Sequence, residues 1–174
     1  ELLKENQDVV DCWVSEVDKG IYDAWNKALP QITGEWVLFL GAGDTLADVD
    51  VLEDVFPTLA DAKGKYSIVY GNVGLVTPKE NHLTSVIGGP WENLKDHWEY
   101  GRPKLPYHQG VFHDSSLFSQ GLSYDSRYRI AADGKLLLVV LSREKVFLYC
   151  NRMIANMVQD GVSSDPNNMM ASYL

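Results

Sequence analysis

Residues Gly34 to Leu46 read GEWVLFLGAGDTL, and the middle of that stretch decides the fold class. Five consecutive apolar residues, Trp36 to Leu40, read as a strand buried on both faces, the pattern of a sheet with helices packed on either side. The run then gives way to Gly41, Ala42 and Gly43, followed by a single acid, Asp44. In open α/β sheets ligands sit outside the carboxyl ends of the strands, where small residues let a ligand approach the backbone and one carboxylate can meet a cation. Taken alone, Asp44 fits a turn cap ahead of the next helix equally well.

Working outward, Asp11 to Ser15 (DCWVS) reads as a short strand, followed by a polar break from Glu16 to Gly20. Ile21, Ala24, Trp25 and Ala28 then recur at the spacing of one helix face until Pro30 stops the pattern. Downstream, Leu46 to Leu59 reads as a helix with Val51, Leu52, Val55, Phe56 and Leu59 on one side, and Tyr66 to Tyr70 as another strand. The segment NVGLVTPKENHLTSVIGG predicts a hairpin added to the main sheet, turning around Pro78 to Asn81. Gly88 to Pro106 has no clear period and reads as an irregular surface loop, with Trp91 and Trp98 placed to stack on a ligand or to anchor the loop. Beyond it, Gly110 to Phe112 predicts a strand, Ser115 to Gln120 and Ile130 to Leu141 helices, and Val146 to Tyr149 and Met153 to Val158 late strands. With no repeat or linker dividing it, the chain reads over residues 1–174 as one α/β domain with a mixed sheet.

The totals bound the function. At 174 residues, 15 basic against 24 acidic side chains give a formal charge of -9, which argues against a broad electrostatic grip on nucleic acid. Any anionic ligand must be held locally. Cys12 and Cys150 are the two cysteines, with neither a disulfide framework nor a zinc spacing around them, so a reducing, cytoplasmic setting is the expectation. The longest apolar runs, Trp36 to Leu40 and Leu136 to Leu141, fall far short of the ~18 residues of a membrane-spanning helix. The chain opens on Glu1 in charged, helix-like sequence and ends in NNMMASYL, which resembles the start of another helix, so a longer parent protein is expected.

The run SEVDKGIYDAWNKALPQITGEWVLFLGAGDTL, Ser15 to Leu46, resembles the middle of a family 2 glycosyltransferase domain of the GT-A fold, a Rossmann-like mixed sheet flanked by helices. The resemblance continues through YGNV (Tyr70 to Val73), HQGVF (His108 to Phe112), LSYDSRYRIAAD (Leu122 to Asp133) and DGVSSDP (Asp160 to Pro166). Such domains begin with a strand, a helix and a second strand that serve the nucleotide, and that segment is not in this chain, so the resemblance implies a domain incomplete at its N-terminus. It also implies a nucleotide-sugar donor, a glycan or lipid-linked acceptor, inversion at the anomeric carbon and a divalent cation, magnesium or manganese. Peripheral membrane contact follows if the acceptor is a lipid.

Residue by residue, Asp44 matches the last acid of a D-x-D-type metal motif whose earlier positions are here Gly41 and Gly43. Magnesium or manganese keeps waters and phosphate oxygens in its shell, so one protein carboxylate is enough to hold it against a departing diphosphate. Asp18, Lys19, Gly20 and Asn26 border the donor in this reading; the alternative makes Asp18 a helix N-cap and leaves Asn26 and Lys27 on a solvated face. Asp133 matches the acid that takes the acceptor proton, although it is also placed to cap a helix, and it is followed by Gly134 and Lys135 where the family often has an aromatic and a second Asp. His108 and Gln109 fall near the donor sugar or acceptor, whereas His82, His97 and His113 read as surface residues. Asp160 to Ser164 reads as a flap over the site or a plain turn. The rival reading is a carbohydrate- or partner-binding domain that kept the architecture and lost the chemistry.

Overall fold

The computed structural model describes residues 2–6, 8–79, 82–99, 101–143 and 147–159. Its strands are β1 (Trp36–Leu38), β2 (Thr45–Leu46), β3 (Ile68–Val76), β4 (Leu83–Ile87), β5 (Trp98–Glu99), β6 (Arg102–Pro103), β7 (Val111–Asp114) and β8 (Phe147–Val158). The α-helices are α1 (Leu2–Glu5), α2 (Ile21–Ala28), α3 (Val51–Ala62), α4 (Trp91–Leu94), α5 (Ser116–Ser119) and α6 (Ala132–Ser142), with short 3-10 turns at Leu29–Gln31 and His108–Gly110.

Two long parallel strands, β3 and β8, form the spine of a mixed sheet ordered β1-β7-β3-β8-β2. β7 pairs antiparallel with Ile68 to Tyr70 of β3, and β4 takes the same edge farther along, from Val73 to Val76. Because β1 also runs antiparallel to β7, strands β1, β3 and β8 point the same way. The end of β1 therefore lies beside the start of β7. A side chain at Gly71 would collide with the Arg152 carbonyl and the Ile154 side chain, so glycine is what lets β3 and β8 approach there.

Each face of the sheet carries its own apolar cluster. On one side Tyr22, Phe39, Ile68, Tyr70, Val111 and Phe118 pack with Leu136, Leu137 and Val140 of α6. On the other, Val51, Val55, Leu59 and Ala62 of α3 meet Val69, Phe112, Ile154 and Ala155. The apolar run that opened the sequence serves both: Val37 and Phe39 join the first cluster, and Trp36, Leu38 and Leu40 the second. The two-faced reading of that run holds, but β1 is an edge strand and, of Trp36 to Leu40, Phe39 alone is buried.

Several expectations need correction. DCWVS forms no strand: no described residue pairs with it, and Asp11 to Gly20 are exposed throughout, Val17 at 96%. Its apolar residues favour an extended chain, yet a strand needs a neighbour's N–H and C=O groups. Helix α3 starts at Val51 rather than Leu46, because Leu46 pairs with Ala155 in β2, and Leu52 and Phe56 face outward. Along α2 and into the 3-10 turn that follows it, the packed face is Tyr22, Trp25 and Leu29, with Ile21 and Ala28 exposed.

His113, expected at the surface, is buried on β7 with Nδ1 3.4 Å from the Val37 carbonyl oxygen and its ring against Phe39 and Phe118; His82 and His97 are exposed as expected. The predicted hairpin is β3 and β4, with the YSIVY strand and the hairpin's first arm fused into one, and the two late strands are likewise the single β8. The irregular loop holds α4 and the β5–β6 ladder; Trp91 packs on Phe147 with ring centroids 5.0 Å apart, and Trp98 is exposed. Asp160 to Ser164, read as a flap or turn, lies outside the described residues, as do the final residues read as a helix start.

Candidate active site

Helix α6 begins abruptly. Ala131, just ahead of it, has φ 71 and ψ 12, the left-handed region, and it is the sole non-glycine with positive φ among the described residues. That conformation costs an L-residue about 1–2 kcal/mol. Its carbonyl accepts the Lys135 N–H at 3.0 Å, so the strained residue closes the first turn of the helix that carries Asp133.

Asp133 is gripped from two other elements. Its Oδ1 accepts the Tyr22 hydroxyl from α2 at 2.8 Å, and its Oδ2 stands 3.3 Å from Nδ1 of His108, on the 3-10 turn that leads into β7. The Trp25 and His108 rings meet in an edge-type contact with centroids 5.2 Å apart. Behind this pair lies a block of aromatic rings: Tyr22 stacks on Tyr124 at 5.6 Å, and Trp25 lies 5.0 Å from Phe39 and 5.1 Å from Tyr124. Such rings keep water off the inner side and prefer these tilted and offset contacts.

Burial alone would raise the Asp133 pKa, but the hydrogen bond and charge of His108, the Tyr22 hydroxyl and the Gly134 N–H together outweigh it and hold the carboxyl down to about 2. Tyr22 moves the opposite way: burial and then the neighbouring Asp133 charge raise it, so it stays a donor. Burial also lowers His113 to about 4, keeping it neutral beneath the site.

Asn26, implied at the donor, has a different set of partners. Its Nδ2 donates to the Tyr124 carbonyl at 2.7 Å, and its Oδ1 accepts the Tyr124 N–H at 2.8 Å, tying α2 to the segment that leads into α6. Lys135 reaches Asp125 at 2.5 Å and lies 4.6 Å above the Tyr128 ring, while Arg127 grips both oxygens of Asp125. The lysine that departs from the family pattern thus fastens the same segment.

The Asp18–Lys19–Gly20 group faces solvent. Lys27 sits among Glu16 at 2.6 Å, Asp18 at 2.7 Å and Asp23 at 3.2 Å, and Asp23 accepts the Lys19 N–H at 3.0 Å. The N-cap of α2 is Gly20, with no side-chain cap, so Asp18 does not cap the helix. Gln109 is buried next to His108, and its Oε1 has no hydrogen-bond partner.

Asp44 lies in the turn that follows β1. Its Oδ2 accepts the Gly41 N–H at 3.0 Å and its own N–H donates to the Gly41 carbonyl at 3.1 Å. Gly43, with φ 94, lies against Val158 at the end of β8, so the turn follows the sheet edge at which β1 and β8 finish. A Cβ at Gly41 would stand 3.0 Å from the Asp44 carboxylate, which explains the glycine. Among the described residues no three His, Cys, Asp or Glu side chains cluster as a metal site. This donor set fits a cation shared with a bound diphosphate rather than one caged by protein alone.

The start of α6 and the 3-10 turn ahead of β7 thus bring Asp133 and His108 into contact. No protein-family model matches the chain. It is 32% identical over 118 residues to PGL/p-HBAD biosynthesis glycosyltransferases of Mycobacterium bovis and Mycobacterium tuberculosis, an alignment covering 68% of this chain and 42% of theirs. It is 30% identical over 141 residues to an uncharacterized glycosyltransferase of Mycobacterium tuberculosis, covering 79% of this chain and 51% of the relative. Its sequence relatives are glycosyltransferases. The chain spans about half the length of these curated relatives. Residues 1-349 of S. aureus TarS, solved in complex with UDP, share its architecture with a TM-score of 0.64 over 90% of this chain and 46% of that one, at 13% identity. The fold is therefore the expected mixed α/β, GT-A-like one.

Sequence reasoning passed over Tyr22. The signal was present: a tyrosine three residues before Trp25 and seven before Leu29 sits on the packed helix face, and a buried hydroxyl requires a partner.

Proposed function

We propose that the protein is a family 2 glycosyltransferase that moves a sugar from a nucleotide-diphosphate donor to a hydroxyl of a glycan or lipid-linked acceptor, with inversion at the anomeric carbon. The observation that carries this reading is the Asp133 carboxylate held between Tyr22 and His108 where β1 ends and β7 begins. Similarity to glycosyltransferases and the UDP in the TarS complex support the reaction class and a nucleotide donor.

In this mechanism the acceptor oxygen attacks the anomeric carbon from the face opposite the diphosphate, and its proton passes to the Asp133–His108 pair. A divalent cation, when bound, offsets the negative charge that grows on the diphosphate, and Asp44 is the residue that would hold it. Asp18, Lys19 and Gly20 border the donor, where an exposed lysine adds positive charge. Gln109, buried beside His108, would line the sugar subsite. A lipid-linked acceptor would bring peripheral membrane contact; among the described residues no helix is long and apolar enough to cross a membrane.

The test is to incubate full-length protein with manganese and a panel of nucleotide sugars and to follow nucleoside diphosphate release. Release that depends on the metal is expected, and Asp133→Asn should lower it by about 10²–10⁴-fold while donor binding persists. Glycan binding with no release from any donor would identify a binding domain and overturn the proposal.

A further inference from the structure

We propose that Trp98, Tyr107 and Tyr128 form an aromatic platform for the acceptor, and that the part of the acceptor bound there is a neutral oligosaccharide whose rings stack on those side chains. This rests on the transferase reading above and names the acceptor class of that same site. The three residues are exposed over 68%, 39% and 41% of their surfaces, in that order. They converge on one turn of helix. Tyr107 directly precedes His108, which meets Asp133. Tyr128 lies under Lys135, whose Nζ stands 4.6 Å from its ring centre. Trp98 belongs to the β5–β6 ladder, where it pairs with Pro103, and the Lys104 N–H closes that ladder on the His97 carbonyl at 2.7 Å. The next residue, Leu105, is buried against Gly134: a Cβ there would meet Leu105 Cδ1 at 3.7 Å. The three exposed rings are thus tied to Asp133, Gly134 and Lys135, consecutive residues in the first turn of α6.

A sugar ring presents an apolar face of C–H groups edged by hydroxyls, so flat aromatic surface with polar neighbours suits it. A surface that enters a bilayer carries aliphatic side chains beside its aromatic ones. Among the described residues from 88 to 135, no Leu, Ile, Val, Met or Phe is exposed, so the three rings stand without aliphatic company. Asp96, exposed two positions from Trp98, would also have to leave water if that tryptophan entered lipid. The charges near the rings come in both signs, Lys95 beside Asp96 and Arg127 paired with Asp125 at 2.7 Å, which suits a neutral ligand better than an anionic one.

The two tryptophans of this segment divide the work. Trp91 packs its ring on Phe147 and anchors the segment, whereas Trp98 is left to solvent. Chain geometry keeps Trp98 within about 20 Å of Gly134, a span that a few linked sugars cover. Tyr107 adjoins the reacting unit, and Trp98 meets a unit farther along the acceptor. Trp98 therefore makes binding depend on acceptor length.

The experiment titrates full-length wild type, Trp98→Ala and Trp98→Phe by calorimetry, with UDP present, against neutral gluco-, galacto-, manno- and xylo-oligosaccharides of increasing length. Affinity should rise with length. For the longer oligosaccharides Trp98→Ala should lose about 3–10-fold, with UDP affinity and thermal unfolding unchanged, and Trp98→Phe should stay within about twofold of wild type. Binding of no oligosaccharide, or binding that Trp98→Ala leaves intact, would overturn the platform. Sedimentation with vesicles of phosphatidylcholine and phosphatidylglycerol that needs Trp98, without oligosaccharide binding that needs it, would make the rings a membrane contact and overturn it too. The transferase reading is judged separately. Nucleoside diphosphate release with the same acceptor KM in wild type and Trp98→Ala leaves that reading standing and removes the platform, whereas oligosaccharide binding that needs Trp98, with no release from any donor, does the reverse.

Discussion

Asp133 and Asp44, the two candidate carboxylates, are held in opposite ways. Asp133 takes its position from Tyr22, 111 residues away in sequence, and from a block of aromatic rings contributed by α2, by Phe39 just after β1 and by the segment before α6. Asp44 takes its position from Gly41, three residues earlier in its own turn. In the proposed mechanism the difference has a meaning: a carboxylate that must stay oriented against a reacting proton draws on the whole domain, whereas one that would meet a mobile cation needs only a local turn, since the cation and its phosphate would complete the geometry.

The strongest way to break the comparison is at Phe39, which lies next to Trp25, Tyr124, Phe118 and His113. Phe39→Ala should cost about 3–5 kcal/mol in urea unfolding and loosen the Asp133 half of the site. A loss under 1 kcal/mol would show that the aromatic block is not what holds it.

Acid sharpens the contrast next. The buried His113 has its pKa lowered from 6.5 to about 4, so the unfolded chain binds the extra proton first. Stability is present above about pH 6.5 and is lost as the pH falls toward 4, by about 3 kcal/mol in all. Asp133 and Asp114, both lowered from 3.8, lose their contributions at lower pH still. Unfolding free energies between pH 7 and 4 should show this slope in wild type and lack it in His113→Gln; equal slopes would refute the assignment.

The smallest effect belongs to the other carboxylate. Asp44→Ala should change stability by only about 0.5–1 kcal/mol, because one half-buried hydrogen bond within a turn is lost. A loss of several kcal/mol in thermal unfolding would mean that the turn is a structural keystone and would erase the contrast.

What could be read from the sequence divides along the same line. The Trp36 to Leu40 run, the α2 helix, the β3–β4 hairpin and the α/β class were legible because local periodicity and turn residues encode them. The alternation of Val37 and Phe39 against Trp36, Leu38 and Leu40 between two clusters shows why a two-faced strand reads as a continuous apolar run. What could not be read depends on pairing across the chain. DCWVS has strand composition but no described neighbour, and Leu52 and Phe56 share a helical spacing with buried residues while facing outward. His113 looked like any isolated histidine until β7 placed it between β1 and β3. The candidate site shows both limits: Asp133 and His108 stood out as motifs, but their contact with each other and with Tyr22 exists only after folding.

The left-handed turn at Ala131 narrows what evolution can write there. Glycine or asparagine would be accepted with relief, alanine is tolerated, and valine or isoleucine would have to unwind the start of α6. Because Asp133 rides on that first turn, a single methyl branch two positions away would turn the carboxylate from its partners without touching any of them, so drift at residue 131 is a hidden route by which a lineage could fall silent while every motif remains intact.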